Sequence, residues 1–542
     1  MKNKIIYAMC ACAMTFQSAV AQEFINIQGE VIPLSKVISI RQSAQEEPSS
    51  LSLMMKADES ISLFYQALEE TGWIESLKCY IDKNYSVGSD SIDWTNDHLV
   101  IPTATEYDNV AYMERRRLAH TVFAEPNTVY KNKGINSIED LKSFAKQIYD
   151  PMYPEDAHIT DVKNLRNSLN RFVAYHILPF KAGYYQLTEV DGVGSTLAIN
   201  WNRRKWDIAD WYETCMPYST MKLSFPSGSQ AGLYVNRRGV QARADERGGF
   251  VQGAKVTSPE EMTVANNAIN GIYHYVDDII DYGQMTQQVV FNDRMRIDCS
   301  ALSPDFITSG ARGHRTKSAN ENGKYGTWDA TPNHNNKQTC LGFKPGSAKN
   351  IDFDGRTHLH VRPRTLSFWS YGGDEVAVKG MFDVSVKLPP VPAGKYELRL
   401  GTCVDFQNRG IVACYIDNEP VEMIDFRPGG VMQFGWKQDS SLGDEEGIVM
   451  FDRISRKKGW MKGPKSYYSA SSESGGSQGT CFRDTPTTLR RIIGTFYSNG
   501  ESDHYVRFQQ LIPSMDMTMA MDYIEIVPVT VYDNEYFVED RW

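Results

Sequence analysis

No long run of one charge sign interrupts this 542-residue chain, in which 57 Lys and Arg stand against 67 Asp and Glu for a formal net charge of −10. A nucleic-acid backbone, which is bound through clustered cations, is not an expected partner. Cysteine is scarce, with nine in all, and no pair has the C-x-x-C spacing of a zinc or redox centre. Beyond the first 21 residues no apolar stretch reaches the roughly 18 residues that a membrane-spanning helix requires. Heptads and fixed-period repeats are missing, which excludes coiled coils and solenoids. The chain also lacks G-x-S-x-G, H-E-x-x-H and a Gly-rich loop ending in Lys-Ser/Thr, the spacings that serve nucleophilic, zinc and phosphate chemistry. Neighbouring carboxylates such as Asp277-Asp278 and Glu445-Glu446 are adjacent in sequence, whereas glycoside hydrolysis needs two carboxyls facing across a cleft. The expectation is a binding role without turnover and without a cofactor.

What is present begins with an export signal. Lys2 and Lys4 precede an apolar run from Ile5 to Phe16, and Ala19-Val20-Ala21 supplies the small-x-small pattern of a cleavage site. Residues 1–21 read as a signal peptide and Gln22 as the mature start, giving a secreted or cell-surface protein. The competing reading is a lipoprotein acylated at Cys12, which would hold the chain at the outer membrane. Against it, Met9 stands where Leu is usual and no polar spacer follows. The leader removes Cys10 and Cys12 and leaves an odd number of cysteines, so they cannot all pair. Cys403 and Cys414, on either side of a turn at Asn408-Arg409-Gly410, are the best candidates for a disulfide; two buried thiols on neighbouring strands is the equal alternative.

The 41% hydrophobic and 11% aromatic content suffices for more than one core. Residues 22–56 read as a flexible lead with a short strand-like stretch from Val37 to Ile40. Ile61, Phe64, Tyr65 and Leu68 then fall on one helical face, with Gly72 as a stop. Helical spacing returns in Ile138, Leu141, Phe144, Ala145 and Ile148, capped by Ser137, and again from Leu165 through Leu169, Phe172 and Val173 to His176. After Leu197 strands are expected, with turns at Arg238-Gly239 and Asn270-Gly271. Residues 57–285 thus read as an α+β unit. From 286 to 542 short alternating runs such as Phe382–Leu388, Ile411–Ile416, His504–Leu511 and Tyr523–Val527 predict an all-β sandwich, with surface loops near 307–350 and 462–480.

Three segments of the first unit, in order, resemble the fasciclin family. His120-Thr-Val-Phe-Ala-Glu-Pro-Asn-Thr-Val-Tyr130 is similar to its first signature, Tyr175-His176-Ile177-Leu178-Pro179 to its central Tyr-His element, and Ala268–Ile280 to its closing signature. Glu125 inserted in the Phe-Ala-Pro turn, and extra chain around 181–230, depart from that pattern. Within the second unit, Leu388–Leu400, Gly410–Pro420 and Asp522–Pro528 resemble a galactose-binding-like jelly roll. Together the resemblances imply a bacterial cell-surface setting near glycan uptake, though not direct sugar binding; the expected role is adhesion or glycan-associated binding.

Several side chains qualify for chemistry. Tyr175 and His176 occupy the region linked to ligand contact in fasciclin modules, with a buried hydrogen-bonding pair as the bland alternative. His274 and Asp277 fall on opposite faces of a strand and do not form a dyad. His358 and His360, about 7 Å apart on one strand face, with Asp352 and Asp354 nearby, are weak metal candidates. Sugar recognition needs flat aromatic faces beside oriented hydrogen-bonding groups. Trp369 and Tyr371 near Asp374, Trp436 near Gln438 and Asp439, and Trp460 near Tyr467 and Tyr468 supply that pairing. The expected partner is a surface glycan or protein ligand; the alternatives are a glycan-processing enzyme with an appended binding module and a structural component of an outer-membrane assembly.

Overall fold

The computed structural model describes residues 24–27, 30–33, 50–80, 82, 109–112, 116–184, 187, 208–226, 232–239, 249–257, 266–308, 339–362, 371, 375–404, 409–427, 430–464 and 482–533. Residues 1–50 and 51–542 are separate compact units. The first holds an antiparallel hairpin, Phe24–Ile27 with Glu30–Pro33; the leader, Cys12 and the Val37–Ile40 stretch lie outside the described residues. Among the described residues no helix is long and apolar enough to cross a membrane. The second unit is rich in mostly antiparallel sheet with a few helices.

That unit begins earlier than the sequence suggests. Leu51–Lys56 is a helix in which Leu51 and Met55, one turn apart, are fully buried, so these residues do not belong to a flexible lead. Helix Ser62–Thr71 buries Phe64, Ala67 and Leu68 and ends at Gly72, whose φ of 82° suits glycine. Ser137 Oγ accepts the Asp140 N–H while Asp140 accepts the Ser137 N–H, a reciprocal cap that starts helix Ile138–Tyr149. The next helix is shorter than its apolar spacing predicts. Asn167 caps it, so it spans Ser168–Tyr175 and leaves Leu165 outside and 45% exposed.

These helices pack beside a four-stranded sheet that gathers three distant segments. Strand His120–Ala124 runs parallel to Gly271–Tyr275 and antiparallel to Ile177–Leu178. The turn into Gly271 consists of Ile269 and Asn270, since Ala268 pairs directly with Gly271. A Cβ at Gly271 would meet His120 O at 2.5 Å, so only glycine allows the two backbones to approach. Asn270 is wholly buried and donates to Leu77 O (2.6 Å) and Cys79 O (2.9 Å) while accepting the Leu51 N–H (2.8 Å). One amide thus fixes the first helix to the sheet edge.

Glu125 sits in the turn that follows strand His120–Ala124 and is 0% exposed. Its Oε1 lies 2.7 Å from His176 Nε2 and accepts the Ile280 N–H at 3.1 Å, and its Oε2 accepts the Tyr130 hydroxyl at 2.8 Å. His176 Nδ1 is 2.7 Å from Phe172 O, which can only accept, so Nδ1 carries a proton. A second proton must lie between Nε2 and Oε1, because two lone pairs would otherwise face each other. Burial and the adjacent Glu125 charge hold the Tyr130 phenol far above its ordinary range, so it stays a donor.

From residue 286 onward the chain contributes to three five-stranded sheets. Strand Tyr523–Pro528 pairs with Met295–Asp298 on one side and Gly394–Cys403 on the other, and Thr488–Ser498 and Trp460–Lys462 extend that sheet. A second sheet places Asp383–Lys387, Tyr505–Gln510, Ile411–Ile416 and Glu419–Asp425 side by side. The third includes Thr357–Arg362, Glu375–Gly380 and Thr339–Phe343, the last of which lies inside the expected 307–350 loop. Ile524 and Ile526 belong to the common apolar core, while Glu525 alternates to the opposite, equally buried face. There Arg296 Nη2, Arg399 Nη1 and Arg490 Nη1 reach it at 2.7, 3.1 and 3.3 Å. Burial opposes that charge, but the guanidinium groups prevail and hold the carboxyl well below its usual range.

Two expectations are corrected. Cys403 and Cys414 are free thiols: the first ends a strand of one sheet, the second lies mid-strand in another, so no disulfide joins them. Helix also persists in the second half, chiefly as Glu445–Lys457. Asp444 caps it, Glu445 and Glu446 fill its first turn, and Arg456 and Lys457 its last, which is favourable charge placement against the helix dipole.

Two outcomes follow for the isolated protein. Glu125→Ala strands a buried imidazole and should cost about 3–5 kcal/mol in urea unfolding, whereas Glu125→Gln, which keeps the shape and most of the hydrogen-bond partners, should cost clearly less. Equal losses would show that shape alone matters there. Burial pushes the Cys403 and Cys414 thiols up to about 12. Both should resist an aromatic disulfide reagent until the chain unfolds, while exposed Cys79 reacts in the folded protein.

Candidate functional site

The sequence candidates meet different fates. Tyr175 and His176 are both 0% exposed. Tyr175 OH donates to Asn236 Oδ1 at 3.0 Å, and the His176 ring lies 4.6 Å from that of Phe172, so both lock helix to sheet and present no surface to a ligand. His274 is buried as well, and Asp277 accepts the Lys255 N–H at 2.6 Å. Tyr371 packs on Tyr523 with centroids 5.4 Å apart, and its backbone N–H donates to Asp522 Oδ1 at 2.7 Å. Trp369, Asp374, Tyr467 and Tyr468 lie outside the described residues.

The metal candidates do not converge. His358 and His360 share strand Thr357–Arg362, but His358 is paired across the ladder with Lys379. Burial first, and the Lys379 charge second, push the His358 imidazole down to about 4, which favours the neutral form yet sets a fixed cation beside it. Asp352 belongs to a strand of a different sheet, and Asp354 holds Arg356 through bonds of 2.8 and 2.6 Å. Among the described residues Glu155, Asp156 and Glu501 do bring ligand atoms within 4.8 Å of one another. Arg166 and Arg171 already neutralise Asp156 at 2.9 and 2.6 Å, so this is an ion-pair cluster.

Among the described aromatic candidates, Trp436 is the one that the fold leaves partly open. Helix Gly430–Phe434 delivers it, helix Glu445–Lys457 packs alongside, and strand Trp460–Lys462 forms the floor. Trp460 is buried in that floor, stacked on Phe434 at 6.4 Å and 10°. The half-buried Trp436 ring instead has Lys462 Nζ over it at 5.3 Å, and the same ammonium lies 4.8 Å from the Phe451 centroid. Trp436 Nε1 makes no hydrogen bond among the described residues.

Charged groups around that ring are held in place. Asp439 Oδ1 takes Lys462 Nζ at 2.6 Å and Asp439 Oδ2 takes Arg483 Nε at 2.6 Å, while Arg483 Nη2 reaches Asp452 at 2.7 Å. Burial raises the Asp439 carboxyl, but hydrogen bonds from Arg483 and Lys462 outweigh it and hold it below its usual range. Burial lowers the Lys462 ammonium more than Asp439 supports it. Lys462 and Arg483 carry no local sequence signal, since a chain reversal brings them to Asp439. The outer surface of this region is apolar: Val431, Met432, Met450 and Ile454 are 56, 81, 53 and 47% exposed. An aromatic ring with fixed polar neighbours can stack on C–H faces and orient hydroxyls.

No known protein family and no curated protein matches the chain. Among solved structures it is similar, at TM-score 0.17 and 11% identity over 31% of this chain and 11% of the other, to a xanthan lyase from Paenibacillus. A likeness to the insecticidal crystal protein Cry2Aa has TM-score 0.20 and 7% identity, covering 72% of this chain and 66% of that one. Neither superposition is close enough to carry an argument about fold or activity.

Proposed function

We propose that the chain is an exported cell-surface protein that binds glycan, built from a fasciclin-like α+β part followed by a galactose-binding-like β-sandwich. The segments that resemble the fasciclin signatures pair in one sheet and share the Glu125 network, which supports that reading of residues up to 285. The paired antiparallel strands between Asp383 and Pro528 support the sandwich. The observation that carries glycan binding is the half-buried Trp436 ring set beside the fixed Asp439, Lys462 and Arg483 groups. A pyranose ring stacks on such a face while its hydroxyls meet the partly exposed Asp439 carboxylate, which the buried Lys462 and Arg483 side chains hold in place. Individual contacts of this kind are weak, and attachment to a cell surface makes them effective by repetition.

A second reading is favoured by one observation. The exposed Val431, Met432, Met450 and Ile454 side chains are unusual company for a water-facing helix pair and suit a protein partner in an outer-membrane assembly.

Titration calorimetry against a panel of polysaccharides separates the two. Glycan binding predicts heat from at least one polymer and a roughly tenfold or greater loss of affinity in Trp436→Ala at unchanged melting temperature. Absence of heat from every polymer, together with cross-linking to an envelope protein that Met432→Lys abolishes, would replace glycan by a protein ligand.

A further inference from the structure

A second constellation uses none of the Trp436 residues and stands or falls separately from glycan binding. Strand Ile411–Ile416 turns into Glu419–Asp425 through Asp417 and Asn418, both at positive φ (51° and 69°), as a tight hairpin requires. That turn lies against the chain entering strand Tyr505–Gln510, where Asp417 N–H donates to Tyr505 O at 3.0 Å and Tyr505 N–H donates to Asp417 Oδ1 at 2.9 Å. Asp417 Oδ2 is 2.7 Å from His504 Nδ1, and His504 Nε2 is 3.2 Å from Ser502 Oγ.

We infer that Asp417, His504 and Ser502 form a nucleophilic relay that cleaves a short-chain carboxylic ester. The roles follow from the geometry. Asp417, ordered by a backbone donor on its other oxygen, accepts a hydrogen bond from Nδ1–H and so selects the tautomer in which Nε2 accepts. The imidazole packs on the Phe496 ring at 4.8 Å, and the Leu388 N–H donates to the His504 carbonyl at 2.8 Å, which fixes the backbone that carries it. Lys387, bonded to Asp503 at 3.0 Å and to Glu213 at 2.6 Å, holds the loop that carries Ser502. In the resting structure the Ser502 hydroxyl is also 2.9 Å from Asn499 Oδ1, which already accepts the Glu501 N–H at 2.8 Å. Its one proton can turn from Asn499 to His504 without moving any heavy atom.

The step balances with water alone. Ser502 Oγ forms a bond to the ester carbonyl carbon as its proton passes to His504 Nε2. The tetrahedral adduct collapses by breaking the bond to the alcohol oxygen, which leaves with that proton. Water then attacks the acyl-serine, gives its proton to Nε2, and Ser502 recovers it as the carboxylic acid departs. Access favours a small acyl group on an exposed hydroxyl: Ser502 is half-buried, the Asp417 side chain is 40% exposed, and the adjoining side chains of Asn499 and Asp503 are polar.

The test uses the full chain with a fluorophosphonate probe, followed by peptide mass spectrometry, and with p-nitrophenyl acetate. The expected result is a phosphonyl adduct on Ser502, abolished in Ser502→Ala and formed roughly tenfold or more slowly in His504→Gln. Asp417→Asn, a positioning change of unaltered shape, should lower kcat for the acetate by a similar factor while KM stays within about twofold. It carries the test if His504→Gln fails to fold. No adduct on Ser502 in the folded wild-type protein, or hydrolysis undiminished by Ser502→Ala, overturns the inference.

Discussion

The buried contact between Glu125 and His176 sets the terms for the helical part of this protein. A carboxylate with no exposure is tolerable only when its lone pairs are taken, and here the imidazole, a backbone N–H from residue 280 and the Tyr130 hydroxyl take them. The partners come from three stretches separated by up to 155 residues in sequence. No two of them can settle correctly without the third, because any omission leaves a charge or a donor unpaired in the core. The buried acid therefore does not weaken the turn that contains it. It converts a local turn into the meeting point of helix, sheet and the chain leading to the second half.

The same economy governs the junction with the later strands. Thr220 Oγ donates to Pro390 O at 2.7 Å, and Lys387 bonds Glu213, while apolar residues from both halves share one core. These contacts join segments on either side of residue 285, so the later sheets are held to the helical part by packing as well as by the chain. A rigid support of this kind lowers the ordering cost of any site built on it.

Features visible in the sequence were those decided locally. Ser137 and Asp140 form their cap within one turn, Ile411–Ile416 alternates in the strand as written, and Gly72 ends its helix through its own φ. Other features depend on distant chain. Asn167 caps its helix after Leu165, so the apolar spacing overran the start. Helix Glu445–Lys457 keeps polar and exposed apolar residues on its outer face, which blurs the spacing, although the acids at its start and the bases at its end mark both termini. The separation of Cys403 from Cys414 depends on which sheet each strand joins, and proximity in sequence is no guide to that. Aromatic residues posed the same difficulty: Tyr371, Trp436 and Trp460 have equal credentials on paper, and only packing buries two of them and leaves the third half-open.

That difference also explains why the two proposed sites differ in kind. Binding through Trp436 asks only for a flat ring and charges that are already paired, so it gains nothing from a reactive group and loses little by lying in a shallow surface. Ester cleavage asks for a base whose second nitrogen is held, and a hairpin turn gripping the start of the neighbouring strand does this at small cost in buried area. A weakly held polymer raises the local concentration of its own substituents, so a modest nucleophile on the same rigid scaffold need not bind its ester tightly. Holding and trimming then require no shared residues, and selection can alter one without disturbing the other.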